Sequence, residues 1–268
     1  MACNVLAHRV ADRMKLRVLG CSGGIGGAQT RTTSFLVDDD ILVDCGTGVG
    51  DLERDELLGI DHVFLTHSHM DHIACLPMLV DSVGEARRMP LTVYATSETL
   101  RILHSHVFNW LVWPDFSTIP DRRLPFMRMQ PIRVGEPVRL GKRAITALPA
   151  HHTVPAVGFC LDSGTGKLIY SGDTAYCEEQ IAAINALDDV RHLIIETAFA
   201  DEQHGLALAS RHLCPSLLHA VLEELTVSPE VLVSHLKPGA DDRIMEQIAG
   251  HGGRLVPRAL MTGEVLEF

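Results

Sequence analysis

What this chain lacks narrows its class first. It has no CxxC pair, and its 7 cysteines (Cys3, Cys21, Cys45, Cys75, Cys160, Cys177 and Cys214) are odd in number and irregularly spaced. That excludes a disulfide framework or a zinc knuckle as the organising device and leaves reduced thiols in a cytoplasmic compartment as the expectation. No apolar run reaches the roughly 18 residues of a membrane span. The leading segment carries Arg9 and Arg13 where a secretory signal would need its apolar stretch. Basic residues are scarce, 23 Lys+Arg against 34 Asp+Glu, for a formal net charge of −11. A broad grip on DNA or RNA needs the opposite balance to displace counterions, so nucleic acid is not the expected partner. Low-complexity tracts, linkers and short-period repeats are missing as well, and one domain over 1–268 is expected.

What is present is ordinary globular material, 46% hydrophobic and 21% charged, in a chain of 268 residues that can bury a substantial core. Short apolar runs predict strands at 15–20, 33–37, 41–44, 61–66 and 91–94, then at 143–148, 156–161, 167–170, 192–195 and 231–233. Apolar spacing of helical period predicts helices at 51–58, 73–88, 97–106, 178–187, 206–212, 215–225 and 241–248. Strands and helices interleave in both halves. Two sheets packed face to face, with helices outside, are expected.

Histidine is the polar residue in excess, 15 in all. The strand at 61–66 runs into His67-Ser68-His69-Met70-Asp71-His72. Those at 143–148, 167–170, 192–195 and 231–233 run into His151-His152, Asp173, Glu196 and His235. Loops at one end of a sheet let rigid strands aim polar side chains at a common point. In an extended segment, residues two apart point the same way, so His67 and His69 can share one ion. Asp71 and His72, one turn on, can face a second. Imidazole and carboxylate suit zinc, and also manganese or iron. A cation there would reverse the local field and admit a small anionic substrate despite the acidic chain.

The run His67–His72 resembles the HxHxDH signature of the metallo-β-lactamase superfamily. The likeness continues through GCSGG (20–24), ILVDCGTG (41–48), YSGDT (170–174) and SHLKP (234–238). Within that superfamily, HVFNWLVWPDFSTIP (106–120), HHTVPAVGF (151–159), IETAFADEQHGLALASRHLCP (195–215) and SHLKP itself are most similar to the class II 3′,5′-cyclic-nucleotide phosphodiesterases, relatives of ribonuclease Z. The resemblance implies a four-layer αββα sandwich and a hydrolase with two divalent metal ions, zinc first. It implies conversion of cAMP or cGMP to the 5′-monophosphate by attack of a metal-bridging hydroxide. Carried over by position, His67, His69 and His152 would hold one ion, Asp71, His72 and His235 the other, and Asp173 would bridge them. His152 is preferred to His151 because Pro155 and Gly158 follow it at the family's spacing. Asp71 and Asp173 thereby become catalytic as well as ligating residues. Ribonuclease Z carries a histidine immediately before the glutamate aligned with Glu196, where this chain has Ile195. The general-acid role then falls open to His212 or His204. Alternatives on the same fold are a ribonuclease Z-like endonuclease, a thioester or lactam hydrolase, and a non-catalytic metal-binding regulator.

Secondary candidates each carry two readings. Glu196 either orients a ligand histidine from behind or caps the next helix. Lys237 either contacts phosphate or is a solvated lysine. Trp110 and Trp113 sit with Phe108, Phe116 and Phe126 in a chain only 5% aromatic. They form either a stacking wall for a purine, with Trp113 as the substrate contact, or a packed lid or dimer contact. CSGGIGG lacks the GK[ST] ending of a P-loop and is expected to make a tight turn near the metal floor. His104 and His106, two apart on a helix, do not face each other. They are expected to be structural, as are His8, His62, His192, His219 and His251. The expected partner is a small-molecule phosphodiester, with a homodimer the default assembly.

Overall fold

The apolar runs are continuous because both faces of each central strand are covered. The computed structural model describes residues 13–27 and 29–268, so Cys3, His8 and Arg9 lie outside the described residues. The first half builds β1 (Lys15–Gly20), β2 (Ser34–Val37), β3 (Ile41–Val43), α1 (Arg54–Gly59), β4 (His62–Phe64), α2 (Met70–Ile73), α3 (Leu76–Val83), β5 (Leu91–Thr96), α4 (Ser97–His106) and β6 (Met127–Ile132). The second half builds β7 (Pro137–Leu140), β8 (Arg143–Pro149), β9 (Val157–Asp162), β10 (Lys167–Tyr170), α5 (Glu178–Asn185), β11 (Val190–Glu196), α6 (His204–Ser210), α7 (Pro215–Glu224), β12 (Glu230–Ser234), α8 (Asp241–His251), β13 (Arg258–Ala259) and β14 (Val265–Glu267). Among the described residues these strands form two 7-stranded sheets, ordered β14-β1-β2-β3-β4-β5-β6 and β13-β12-β11-β10-β9-β8-β7.

Period-two alternation divides each strand between two cores. Phe35, Val37, Ile41, Val43, Phe159, Leu161, Ile194 and Leu232 meet between the sheets. Their neighbours Leu36 and Leu42 face a second cluster with α3 and α4. Leu193, Ile195, Val231 and Val233 face a third, with α5, α7 and α8. Helices therefore flank two stacked sheets, the αββα sandwich that the sequence implied. Aromatic edges close the inter-sheet layer, with Phe35 and Tyr170 centroids 5.0 Å apart and Phe64 and Phe159 5.8 Å apart.

Two departures have physical causes. The helix expected at 73–88 is shorter, α3 at Leu76–Val83, and does not run on from α2, because Pro77 lies in the first turn of α3 and cannot supply the backbone N–H that a continuous helix needs. The strands β6, β7, β13 and β14 carried no readable signal. β14 pairs antiparallel with β1 from the other end of the chain, and β6 contains Pro131 and sits at a sheet edge, where a missing N–H is tolerated.

Topology puts the functional residues at one rim. β3, β4 and β5 are mutually parallel, as are β10, β11 and β12, while β8 is antiparallel to β9 and β9 to β10. The C-terminal ends of these parallel strands open on the same edge of the sandwich, the place where α/β sheets present side chains to ligands.

Candidate metal centre

Two clusters of ligand-type atoms form at that rim. His67, His69 and His152 make one, and Asp71, His72, Asp173 and His235 the other; within each, the ligand atoms lie within 4.8 Å of one another. The local chain direction explains the division. His69 is extended (φ −66°, ψ 148°) and immediately precedes α2. His67 and His69 therefore leave the extended stretch together, while Asp71 and His72 ride on the first helical turn. Asp173 stands between the clusters. Its Oδ2 is 3.7 Å from His67 Nε2 and 4.0 Å from His152 Nε2, and its Oδ1 is 3.4 Å from both His72 Nε2 and His235 Nδ1. Asp71 Oδ2 closes the second cluster at 3.8 Å from His235 Nε2.

The donor set fits divalent cations, and the strongest sign is what the atoms lack. His67 Nε2, His72 Nε2, Asp173 Oδ1 and His235 Nδ1 are buried without any hydrogen-bond partner. Such atoms each cost about 1–3 kcal/mol when left unmet, and the three imidazole atoms face Asp173 across gaps of 3.4 and 3.7 Å that suit an ion between them. Burial also favours neutral, ligating imidazoles. It pushes His152 down to about 4 and His235 down to about 3, and holds His67 well below the usual histidine range. For Asp173, burial works against ionisation, but His235, His72 and His67 together keep it well below the usual carboxylate range.

Behind the clusters lies a set of orienting contacts, one of which sequence reasoning missed. Asp44, fully buried at the end of β3, places Oδ2 2.7 Å from His72 Nδ1 and accepts the Thr66 backbone N–H at 2.8 Å through Oδ1. It fixes the His72 tautomer so that Nε2 faces the cluster. Asp44 and His235 both take left-handed backbone, φ +57° and +61°, which non-glycine residues adopt at a cost that clusters at functional sites. The DCG turn held Asp44 in plain view; only its partner was invisible. His152 Nδ1 donates to the Arg211 carbonyl at 3.0 Å. His151 is exposed and lies outside the clusters. The glycine loop does form a tight turn at the floor. Gly23 packs so closely that a Cβ would lie 2.5 Å from the His235 carbonyl oxygen.

Glu196 orients a histidine, namely His212. Its Oε1 is 2.8 Å from His212 Nδ1 and also accepts the Thr174 N–H at 3.0 Å, beside Asp173. His212 stacks on His235 with centroids 5.1 Å apart, and a ring nitrogen of His212 lies within 4.8 Å of His152 and Asp173 ligand atoms. Burial opposes its charge, but Glu196 raises its pKa overall. His204 is exposed at the start of α6, outside the clusters. The missing histidine at Ile195 is also explained. Ile195 packs in the outer helix layer, so a histidine there would point away from this rim.

The structure places the two expected substrate contacts, Lys237 and Trp113, as follows. Lys237 Nζ donates to the Gly23 carbonyl at 2.7 Å and lies 6.0 Å from the Phe199 ring centroid, so its ammonium braces the glycine loop. Trp113 is half-buried against the apolar cluster of the first sheet and its helices, with its Nε1 buried and unpartnered. Trp110 is 62% exposed on the loop after α4. His104, His62 and His192 face Asp115, Tyr94 and Glu230, and His219 stacks on His251, as structural histidines do.

With this geometry in view, the comparisons with known proteins are specific. Residues 39–236 match the family model for the beta-lactamase superfamily domain. The chain is 27% identical over 205 residues to a probable 3′,5′-cyclic-nucleotide phosphodiesterase of Yersinia pestis, covering 67% of this chain and 57% of that protein. It is 28% identical over 230 residues to a ribonuclease of Thermus thermophilus, covering 82% of this chain and 51% of that one. The chain thus spans little more than half the length of these two relatives. The crystal structure of unliganded yeast PDE1 superposes with a TM-score of 0.79 at 17% identity, covering 95% of this chain and 99% of that one.

Proposed function

This chain belongs to the beta-lactamase superfamily, and from that premise we propose that it is a metal-dependent phosphodiesterase that hydrolyses 3′,5′-cyclic nucleotides to 5′-monophosphates. The observation that carries the reading is the convergence of unpartnered buried atoms from His67, His72, Asp173 and His235. Two cations held there, zinc by ligand type, would supply a nucleophile at neutral pH and offset charge on the phosphoryl oxygens.

The protein's own groups do the rest. Asp173 presents one carboxylate oxygen to each cluster and fixes their spacing. Asp71, half-buried at the mouth, completes the second set. His212, with Nδ1 on Glu196, would give the Nε2 proton of its imidazolium to the departing 3′ oxygen and end neutral; the Glu196 carboxylate stabilises the charged ring before that transfer. The likeness to a cyclic-nucleotide phosphodiesterase and the −11 charge support a small-molecule phosphodiester. We read residues 1–268 as one domain, cytoplasmic and homodimeric. No helix among the described residues is long and apolar enough to cross a membrane. The likeness to a ribonuclease keeps RNA cleavage as the second reading.

The test is a turnover panel on metal-quantified protein with 3′,5′-cAMP, 3′,5′-cGMP, 2′,3′-cyclic nucleotides, an aryl phosphodiester, precursor tRNA and a thioester. Release of 5′-monophosphates is expected. Cleavage of precursor tRNA or the thioester, with both 3′,5′-cyclic nucleotides untouched, would overturn the substrate assignment.

A further inference from the structure

Behind the two clusters, several hydrogen bonds meet on one hydroxyl. Thr66, fully buried, stands between the end of β4 and His67. Its backbone is tied on both sides. The N–H donates to Asp44 Oδ1 at 2.8 Å, and the carbonyl accepts the Val157 N–H of the other sheet at 3.1 Å. The side-chain methyl faces Gly172, where a Cβ would come within 3.4 Å of it. A β-branched side chain has few rotamers, so these contacts fix where the hydroxyl points. Its Oγ1 lies 2.8 Å from Asp44 Oδ2, 3.0 Å from Asp44 Oδ1 and 3.0 Å from His67 Nδ1.

One hydroxyl carries one proton. A carboxylate only accepts, so that proton goes to Asp44, and the Thr66 oxygen must in turn accept from His67 Nδ1–H. Among the described residues, His67 Nδ1 has no other hydrogen-bond partner. With the ring proton held on Nδ1, His67 Nε2 is bare, and this is the unpartnered buried atom 3.7 Å from Asp173 Oδ2. The same Asp44 carboxylate takes His72 Nδ1–H at 2.7 Å. His67 and His72 belong to different clusters, with ring centroids 4.2 Å apart. A single buried carboxylate therefore sets two histidines, His72 directly and His67 through Thr66.

We infer that Thr66 is a positioning residue for the cluster of His67, His69 and His152, as Asp44 is for the other. The inference rests on the metal-centre reading and adds the group that sets the His67 tautomer. The two ends are separable. Thr66→Val replaces the hydroxyl by a methyl of similar size and leaves the Asp44–His72 bond in place. The His67 Nδ1–H is then buried without an acceptor. The ring relieves it by moving the proton to Nε2, where Asp173 Oδ2 can accept it, and the ligating lone pair of that cluster is lost. Thr66→Ser keeps the hydroxyl and gives up only the methyl contact with Gly172.

The experiment titrates the metal-free full chain with zinc against a chromophoric chelator and reads both ions. Thr66→Val should weaken one ion about 10–100-fold, the usual consequence of losing an orienting partner, and leave the other at parental affinity. Thr66→Ser should keep both. Nitrogen NMR of the parent imidazoles should show His67 protonated on Nδ1. In Thr66→Val, a single equivalent of zinc should shift the ring nitrogens of His72 and His235 and not those of His67. Parental affinities in a folded Thr66→Val, equal loss of both ions, or a serine variant as weak as the valine one would overturn the inference. So would a His67 proton on Nε2 in the parent, a result that needs no variant to fold. If the parent binds no zinc, the metal reading has failed, and the NMR measurement on the metal-free chain still decides the tautomer and with it the role of Thr66.

Discussion

Asp44→Asn is the sharpest probe of the metal centre, because it replaces one carboxylate oxygen by an amide nitrogen and leaves the volume almost unchanged. Asp44 Oδ2 lies 2.7 Å from His72 Nδ1, and its Oδ1 takes the Thr66 backbone N–H at 2.8 Å. Asparagine keeps the second bond and tolerates the left-handed backbone at φ +57°. Its amide N–H groups, however, cannot accept from His72 Nδ1–H. To restore a hydrogen bond, His72 must move its proton to Nε2, the atom that faces Asp173 Oδ1 at 3.4 Å and that would ligate the ion. Losing such an orienting partner weakens metal affinity about 10–100-fold, or roughly 1.4–2.7 kcal/mol. In metal excess, the ion's stabilisation of the folded chain falls by the same amount. For a chain of this size that is a metal-induced rise in Tm smaller by about 3–10 °C. The assay is competition with a chromophoric chelator, paired with thermal unfolding with and without metal. Metal affinity within twofold of the parent, in a variant that still folds, would refute the argument that Asp44 sets the His72 tautomer.

Further outcomes follow from the same geometry. His212→Gln should lower kcat about 10²–10⁴-fold on a cyclic nucleotide, whose alkoxide needs a proton, and far less on an aryl diester, whose phenolate does not. Equal losses on both substrates would mark His212 as a structural or ligating group, which metal analysis of the variant distinguishes. Gly23→Ala drives a Cβ to 2.5 Å from the His235 carbonyl oxygen and 2.9 Å from its ring. It should cost about 1–3 kcal/mol of stability and reduce metal content, read by unfolding and metal analysis. Arg143 ties β8 to the β2–β3 turn, with Nη1 2.8 Å from Asp38 Oδ2 and 2.6 Å from Asp40 Oδ1. Arg143→Ala should lower stability by about 1–3 kcal/mol through these partly buried charge-assisted bonds, with turnover per folded molecule retained.

Much of this was legible in one dimension. The cluster residues of the rim sit in loops directly after apolar runs, and His67, His69, Asp71 and His72 carry their own geometry, because an extended step followed by a helical turn fixes which pairs point together. The layered fold was legible for the same reason. Strand runs such as Phe35–Val37 and Leu193–Ile195 are apolar on both faces, which only sheets covered on two sides demand.

Other features depend on residues far apart in the chain. Nothing local tells that Asp44 will meet His72, that Glu196 will hold His212, or that Ile195 points away from the rim, since each depends on which strands become neighbours and in what register. The edge strands β6, β7, β13 and β14 are strands because of what they pair with. Residue types and spacing determined that His67 and His69 point one way and Asp71 and His72 another, for that is a property of the backbone within a few residues. Tertiary structure alone decided which groups orient those ligands and which side chains merely pack, because those contacts exist only once the two sheets have closed.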